Sequence, residues 1–185
     1  AAGHPVVFVG SGENGPAIVA DNAGGIHAAV RHLVEHGHRA IAFVAGSPDD
    51  MAGDTGARLD AFAAALRAFD LPMERRRIAY GHHTFAGGHA AMQQIMAAQA
   101  PFTAVIASND ESALGAMQAL RAAGRTIPGD VALIGFDDRP ESAVQSPPLS
   151  SVHLPLFQMG AQAVDFLLRQ IAGEADLPQA VKVGT

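Results

Sequence analysis

The chain has 185 residues and a mass of 19.0 kDa, which predicts one domain, or one domain with parts of another. Eighteen acidic residues outnumber twelve basic ones, the formal net charge is -6, and the arginines are scattered, so a Lys/Arg face that coats nucleic acid is not expected. The absence of cysteine excludes disulfides, thiolate zinc sites and a thiol nucleophile. No apolar run approaches the roughly 20 residues that cross a bilayer, which predicts a soluble chain without membrane contact.

Short apolar runs alternate with helical stretches, a pattern typical of parallel strands joined by crossover helices. The predicted elements of the first half are a strand at Val6–Val9, a glycine-rich loop at Gly10–Gly15, a helix from about Asn22 to Gly37, a strand at Ile41–Ala45 and a helix that carries Leu59, Phe62, Leu66 and Phe69. The predicted elements of the second half are strands at Arg77–Tyr80, Ala104–Ala107 and Val131–Ile134, helices at Phe85–Gln99 and Glu111–Ala123, an extended segment at Ser151–Leu154, a helix at Leu156–Ala172 and a last strand at Ala180–Val183. Residues 22 to 150 are therefore expected to form an α/β unit, an open parallel sheet of four strands with helices on both faces.

Polar residues follow each predicted strand of this sheet, at the edge where open parallel sheets bind their ligands. Members of this set are Asp54, Arg58, His83, Asn109, Asp110, Asp137 and Asp138. Carboxylates, an amide and the rigid guanidinium fork suit a small polyhydroxylated ligand, whose hydroxyls both donate and accept. Helix capping explains Asp110 and Asp138 equally well. The combination of Arg58, Asn109 and Asp137 favours a ligand site.

Three groups of segments resemble the lactose-repressor/galactose-repressor (LacI/GalR) family, in order and over nearly the whole chain. They are Val19–Gly25 with His32–Ala42, then Phe102–Gly115 with its Asn-Asp pair, and finally Ile127–Val131 with Gly135–Asp138 and Pro147–Val152. The resemblance implies a two-lobed effector domain of the periplasmic-binding-protein-like type I fold, which normally follows a small helix-turn-helix DNA-binding domain. One complete lobe and pieces of a second are expected here.

The resemblance also implies how the chain divides between these lobes. Residues 1–20 are expected to end the amino-terminal lobe, 21–150 to form the carboxyl-terminal effector-binding lobe, 151–175 to carry the helix that returns to the amino-terminal lobe, and 176–185 to start the last strand. The first half of the amino-terminal lobe and the DNA-binding domain are expected to lie outside this chain.

By position within these motifs, the resemblance implies five effector-binding residues. The family's effector arginine falls on Arg58, its Asn-Asp residue on Asn109 and its Phe-Asp-Asp carboxylate on Asp137. A stacking or polar position falls on His83, and a polar residue at a helix start falls on Asp54.

Two departures from the family pattern bear on the identity of the effector rather than on the fold. Gly10-Ser11-Gly12 stands where the family usually has a polar pair such as Asp-Arg. Asp60-Ala61 stands where a glycine commonly precedes an aromatic residue, although Phe62 supplies the aromatic ring.

Two motifs point to other functions and are explained more simply. Gly10–Gly15 fits the dinucleotide fingerprint, but Pro16 and further residues separate it from the next helix, and no acidic residue ends the next strand. His32 and His36 have the i, i+4 spacing of metal ligands but lack the glutamate of a zincin and a third ligand, so a solvated helix face is expected.

No serine nucleophile elbow is present, and Asp137 and Asp138, as neighbours on an extended segment, point to opposite faces. We therefore expect no enzyme, no cofactor and no metal.

The resemblance implies the ligand-sensing core of a bacterial transcriptional regulator that binds a small polar metabolite, above all a sugar, between two lobes. The protein would be a cytoplasmic homodimer that contacts operator DNA only through the domain outside this chain. The apolar face of the helix at Ala113–Leu120 either contributes to the dimer or packs against the sheet. The alternative is a periplasmic sugar-binding protein of a transporter or receptor, and a third reading is a Rossmann-type enzyme.

Overall fold

A computed structural model of the chain describes residues 4–10, 15–174 and 177–185. It divides into two compact units, one of Ala1–Asp21 with Leu154–Thr185 and the other of Asn22–His153. Positions 11–14 of the glycine-rich motif lie outside the described residues, as does residue 176, where the last predicted segment was expected to begin.

The larger unit is built on a parallel sheet with the strand order β4-β3-β5-β6-β7. Its strands are β3 (Ile41–Ala45), β4 (Ile78–Tyr80), β5 (Ala104–Ala107), β6 (Ala132–Asp137) and β7 (Ser150–His153). Its helices are α1 (Asn22–Glu35), α2 (Asp54–Ala68), α3 (Phe85–Ala97), α4 (Asp110–Ala122) and the short α5 (Pro140–Ala143), and a 3-10 turn spans Arg75–Arg77. The predicted α/β fold class is confirmed.

Helices cover both faces of this sheet because successive strand residues point to opposite sides. On β3, Ala42 and Val44 pack into the cluster that α3 and α4 supply. Phe43, between them, stacks on Phe62 of α2 with 4.7 Å between ring centroids. Strands buried on both faces need continuous apolar runs, and the sequence of β3 is such a run.

The sheet has five strands, so the expected count of four was wrong. Ser150–His153 pairs in parallel with β6 and belongs to this sheet, whereas the segment starting at residue 151 was assigned to the return towards the other lobe. This strand lies at the sheet edge, where it is only partly buried and therefore lacks an apolar run. Strand β6 also continues past the predicted end at Ile134, so that Phe136 and Asp137 are strand residues.

The smaller unit holds a second parallel sheet and one long helix. Its elements are β1 (Phe8–Val9), β2 (Ala17–Ala20), α6 (Leu156–Ile171) and β8 (Ala180–Val183), with the strand order β1-β2-β8. Strand β2 was not predicted, because it is short and directly follows Gly15 and Pro16, which indicate a loop. In the structure β2 is the central strand and pairs on both sides. Among the described residues, no helix is long and apolar enough to span a membrane.

Candidate functional site

The carboxyl ends of β3, β4, β5 and β6 each deliver one or more of the predicted effector-binding residues. Asp54 and Arg58 lie on the first turns of α2, and His83 lies in the loop between β4 and α3. Asn109 caps α4, and Asp137 is the last residue of β6. All five residues therefore lie at one edge of the same sheet, as parallel strands require.

Arg58 is the most buried member of this group, with 4% of its surface exposed. Its Nε donates to Asn22 Oδ1 over 2.8 Å, and its Nη1 donates to the carbonyl oxygen of Ser108. Its guanidinium carbon lies 3.9 Å from the centroid of the Phe136 ring. The Nη2 amine comes within 4.0 Å of Asp54 Oδ2, which is beyond hydrogen-bond distance. The hydrogen bonds of Nε and Nη1 thus set the plane of the guanidinium, while Nη2 makes the longer contact to Asp54.

The electrostatics of Arg58 reflect this burial. Burial lowers the pKa of Arg58, while the carboxylates of Asp54, Asp137 and Asp50 act in the opposite direction. An arginine remains charged even after such a shift. The site therefore holds a desolvated cation within a ring of acidic side chains, which strengthens any hydrogen bond that the guanidinium makes to a ligand.

Asn22 joins Arg58 to Asp54. The Asn22 Nδ2 amide donates to Asp54 Oδ1 over 2.8 Å, while its Oδ1 accepts from Arg58. Asn22 was not predicted as a site residue. The available signal was its position on α1, where it is a polar residue within the buried stripe that contains Ile26 and Val30.

Asn109 connects the α4 end of the site to His83. Its Oδ1 accepts from the backbone N–H of Ser112, which is the capping bond expected at a helix start. Its Nδ2 donates to the backbone carbonyl of His83 over 3.1 Å. Asn109 therefore serves as a helix cap and also positions the loop that carries His83.

The imidazole of His83 is half-buried against α2. Its Nε2 lies 3.1 Å from Thr55 Oγ1. This approach depends on Gly46, because a Cβ at that position would lie 2.1 Å from His83 Nε2 and 2.3 Å from Thr55 Oγ1. Burial lowers the pKa of His83, and the charge of Arg58 acts in the same direction. The lowered pKa favours the neutral imidazole, which suits a stacking or hydrogen-bonding role.

Asp137 supplies the carboxylate at the end of β6. Its side chain makes no hydrogen bond or ion pair within the part of the chain that the structure describes, and it is only partly exposed. Burial raises its pKa to about 6, against the opposing effect of Arg58. Asp137 is therefore a partly exposed carboxylate with a raised pKa that also feels the charge of Arg58, a combination that points to a ligand site.

The neighbouring carboxylates of Asp110 and Asp138 have structural partners. Asp110 is fully buried and accepts from the backbone of Arg139 and from the hydroxyls of Ser142 and Ser151. A Cβ at Gly135 would lie 2.1 Å from Asp110 Oδ1, so glycine is required beside it. Asp138 pairs with His153 over 2.9 Å. Neither residue acts as the simple helix cap considered above, because Asp110 instead joins α4 to α5 and β7.

Comparison with known proteins identifies the family. Residues 30–185 match the family model of the periplasmic binding protein-like domain. The chain belongs to this family. The regulator CelR of Thermobifida fusca is 37% identical over 158 residues, and the repressor CytR of Escherichia coli K12 is 35% identical over 159 residues. These alignments cover 85% and 86% of this chain but only 46% of each relative. The chain thus spans about half the length of the relatives it matches.

Solved structures of this family agree with the sequence relatives. The structure of the transcriptional regulator CelR in complex with cellobiose superimposes with a TM-score of 0.89 at 33% identity, over 96% of this chain and 55% of that one. A regulatory protein of the LacI family from Chloroflexus aggregans gives 0.82 at 32% identity, over 91% of this chain and 60% of that one. The resemblance to LacI/GalR regulators is therefore confirmed. The relatives are transcriptional regulators rather than enzymes, as the sequence predicted.

Proposed function

We propose that this periplasmic binding protein-like chain is the effector-binding part of a LacI/GalR-type transcriptional regulator, and that its effector is a sugar or a similar polyhydroxylated metabolite. The observation that carries the proposal is that a buried guanidinium, Arg58, and a partly exposed carboxylate, Asp137, lie at the same sheet edge and influence each other's pKa. The relative solved with cellobiose supports a sugar as the class of ligand.

The chemistry of these groups matches sugar hydroxyls. Asp137 accepts from a hydroxyl, the Nη2 amine of Arg58 donates to an oxygen, and His83 offers a neutral ring for stacking or hydrogen bonding. Asp54 is connected to Arg58 through Asn22, and Asn109 holds the loop that carries His83. A hydrogen bond to a charged group contributes about 1.5–3 kcal/mol, which is roughly ten- to a hundredfold in affinity.

Ligand binding would act on DNA through a domain outside this chain. A ligand shifts a conformational equilibrium only by its difference in affinity for the two states. We place this regulator in the cytoplasm, where operator DNA is accessible.

Titration calorimetry tests the proposed site. Cellobiose, glucose, galactose and ribose are titrated into the protein, and the sugar that binds most tightly is then titrated into Arg58→Ala and Asp137→Ala. Each variant is expected to lose at least tenfold in affinity, because each removes a charge-assisted hydrogen bond. Arg31→Ala is the matched control, since Arg31 is exposed on α1 and pairs with Glu35, away from the site. Unchanged affinity in both site variants would refute the assignment.

A homodimer is the second part of the proposal, because a two-fold operator is read by a two-fold protein. Of the two roles considered for the apolar face of α4, packing within its own unit is the one observed, because Ala113, Ala116 and Leu120 are buried in the core. The other side of α4 contributes Leu114, Gln118 and Arg121 to a groove that also contains Phe85 and Gln145. Val144, next to Gln145 in sequence, is 80% exposed.

We propose this groove, with Val144, as the dimer contact. Analytical ultracentrifugation of the protein is expected to show a dimer that Val144→Asp weakens. Val164→Asp is the matched control, since Val164 is 58% exposed but lies on α6 of the other unit. A monomeric protein, or equal weakening by both variants, would contradict this contact.

A periplasmic sugar-binding protein would use the same sheet edge and is the alternative. The identity of the relatives favours the regulator. The codons upstream of this chain decide between the two. A helix-turn-helix sequence is expected, whereas a basic and apolar leader with a cleavage site would support the secreted protein.

A further inference from the structure

Asn22 occupies a position that neither the sequence motifs nor the predicted effector contacts assigned to a role. It is the first residue of α1 and of the larger unit, so the chain enters that unit at this side chain. Only 8% of its surface is exposed. Its amide lies between two charged residues that are themselves one helical turn apart, Asp54 and Arg58.

An amide can donate and accept at once, and Asn22 uses both capacities. Its oxygen accepts from Arg58 Nε and its nitrogen donates to Asp54 Oδ1, each over 2.8 Å. The Arg58 Nη2 and Asp54 Oδ2 atoms remain 4.0 Å apart. The two charged residues have the i, i+4 spacing at which helix side chains form ion pairs. Asn22 thus adds a hydrogen-bonded connection between them beside this longer contact.

We propose that Asn22 is a positioning residue of the effector site. By accepting from Nε, it fixes the orientation of the Arg58 guanidinium, so that Nη2, which neither of the two fixed hydrogen bonds uses, is left to bind the ligand. The expected effect of Asn22 on sugar affinity rests on the proposed function. The geometric part of the proposal, the orientation of Arg58, can be measured without any ligand.

The first measurement is the ¹⁵N NMR spectrum of the arginine Nε–H groups in the ligand-free protein. The Arg58 Nε–H group is expected to exchange slowly with water because Asn22 accepts its hydrogen bond. In Asn22→Ala this exchange accelerates, and the resonance moves. Arg31→Ala changes another residue of α1, the helix of Asn22, and is expected to leave the Arg58 resonance unchanged, because Arg31 is exposed and pairs with Glu35.

An exchange of residue types provides a rescue. Asn22→Asp keeps an acceptor for Arg58 but places a carboxylate against that of Asp54. Adding Asp54→Asn restores a hydrogen bond between the two positions, in which the new amide at position 54 donates to the new carboxylate at position 22. The double variant is therefore expected to recover the slow exchange of Arg58 Nε–H that the single variant Asn22→Asp perturbs. If Asn22 served only to start α1, Asn22→Asp would not perturb Arg58, because aspartate is as favourable at a helix start as asparagine. Adding Asp54→Asn would then have nothing to restore.

The second measurement is the affinity for the tightest-binding sugar of the four named above, by calorimetry. Asn22→Ala is expected to weaken binding by about tenfold, the effect of one misaligned charge-assisted hydrogen bond. The double variant Asn22→Asp with Asp54→Asn is expected to bind this sugar more tightly than Asn22→Asp alone. Circular dichroism verifies the fold of each variant, and if Asn22→Ala does not fold, the comparison of Asn22→Asp with the double variant decides.

The outcomes separate the two proposals. If the wild-type protein binds a sugar and the Asn22 variants change neither the Arg58 resonance nor the affinity, the inference is overturned while the proposed function stands. If the Arg58 resonance responds as expected but none of the sugars binds the wild type, the positioning role is supported and the sugar-binding function fails.

Discussion

The guanidinium of Arg58 lies over the ring of Phe136, 3.9 Å from its centroid. Phe136 is fully buried on β6 and directly precedes Asp137. The aromatic face thus stabilises a desolvated cation, while the next residue brings the carboxylate to the same sheet edge. Buried cation–π contacts contribute about 2 kcal/mol.

This contact predicts energetic coupling between the two side chains. Phe136→Leu is expected to lower the free energy of unfolding by about 1–3 kcal/mol, and by about 1 kcal/mol less in an Arg58→Met background. Urea unfolding of the four proteins measures the coupling. Phe43→Leu is the matched control, because Phe43 is equally buried but stacks on Phe62. Equal coupling of both phenylalanines to Arg58 would contradict the cation–π contact.

Asp137 is expected to reduce stability at neutral pH. Its folded pKa of about 6 exceeds its ordinary value, so the folded protein binds more protons than the unfolded chain between about pH 4 and 6. The penalty is fully present above pH 6 and disappears as the pH falls towards 4. Asp137→Asn is therefore expected to raise the free energy of unfolding by about 1–2 kcal/mol at pH 7.5, and by much less at pH 4.

Asp130→Asn provides a control of opposite sign for this pH series. The Thr126 hydroxyl and backbone N–H donate to Asp130 and lower its pKa. Its contribution to stability is present above the ordinary pKa and is lost as the pH falls through the lowered value. Asp130→Asn should thus destabilise the protein at pH 7.5. Destabilisation by Asp137→Asn at that pH would contradict the raised pKa of Asp137.

Asp110 is expected to be essential for the stability of the α4, α5 and β7 region. Asp110→Ala leaves the hydroxyls of Ser142 and Ser151 without their acceptor and is expected to cost about 3 kcal/mol in urea unfolding. Glu111→Ala, the control, removes only an exposed ion pair with Arg139 and is expected to cost less than about 1 kcal/mol. A similar cost for both variants would contradict the buried hydrogen-bond cluster.

Gly46→Ala tests how closely His83 packs on α2. The added methyl group would overlap His83 Nε2 and Thr55 Oγ1, so the imidazole is expected to leave its half-buried position. The pKa of His83, lowered by burial and by Arg58, should then rise towards its ordinary value in an NMR titration. Gly160→Ala, in α6, is the control. A Cβ at Gly160 would meet no atom of the described residues within 4 Å, so this variant is expected to leave the pKa of His83 unchanged. An unchanged pKa in Gly46→Ala would refute the packing.

The sequence predicted the parts of the molecule that depend on local pattern. Continuous apolar runs such as Ile41–Ala45 identified the buried strands, and the rule that ligands bind at the carboxyl ends of parallel strands grouped Arg58, Asn109 and Asp137. The edge strand Ser150–His153 was assigned to the wrong unit because a partly exposed strand has no apolar run. The roles of Asn22 and Asp110 were also missed, since their partners are distant in sequence and become neighbours only in the fold.

The crystal structure of the protein with its tightest-binding sugar tests the central claim most directly. A sugar at the carboxyl ends of β3 to β6 is predicted, with one hydroxyl donating to Asp137 and one oxygen accepting from Arg58 Nη2. A sugar bound elsewhere, with Asp137 and Arg58 making no contact to it, would contradict the account.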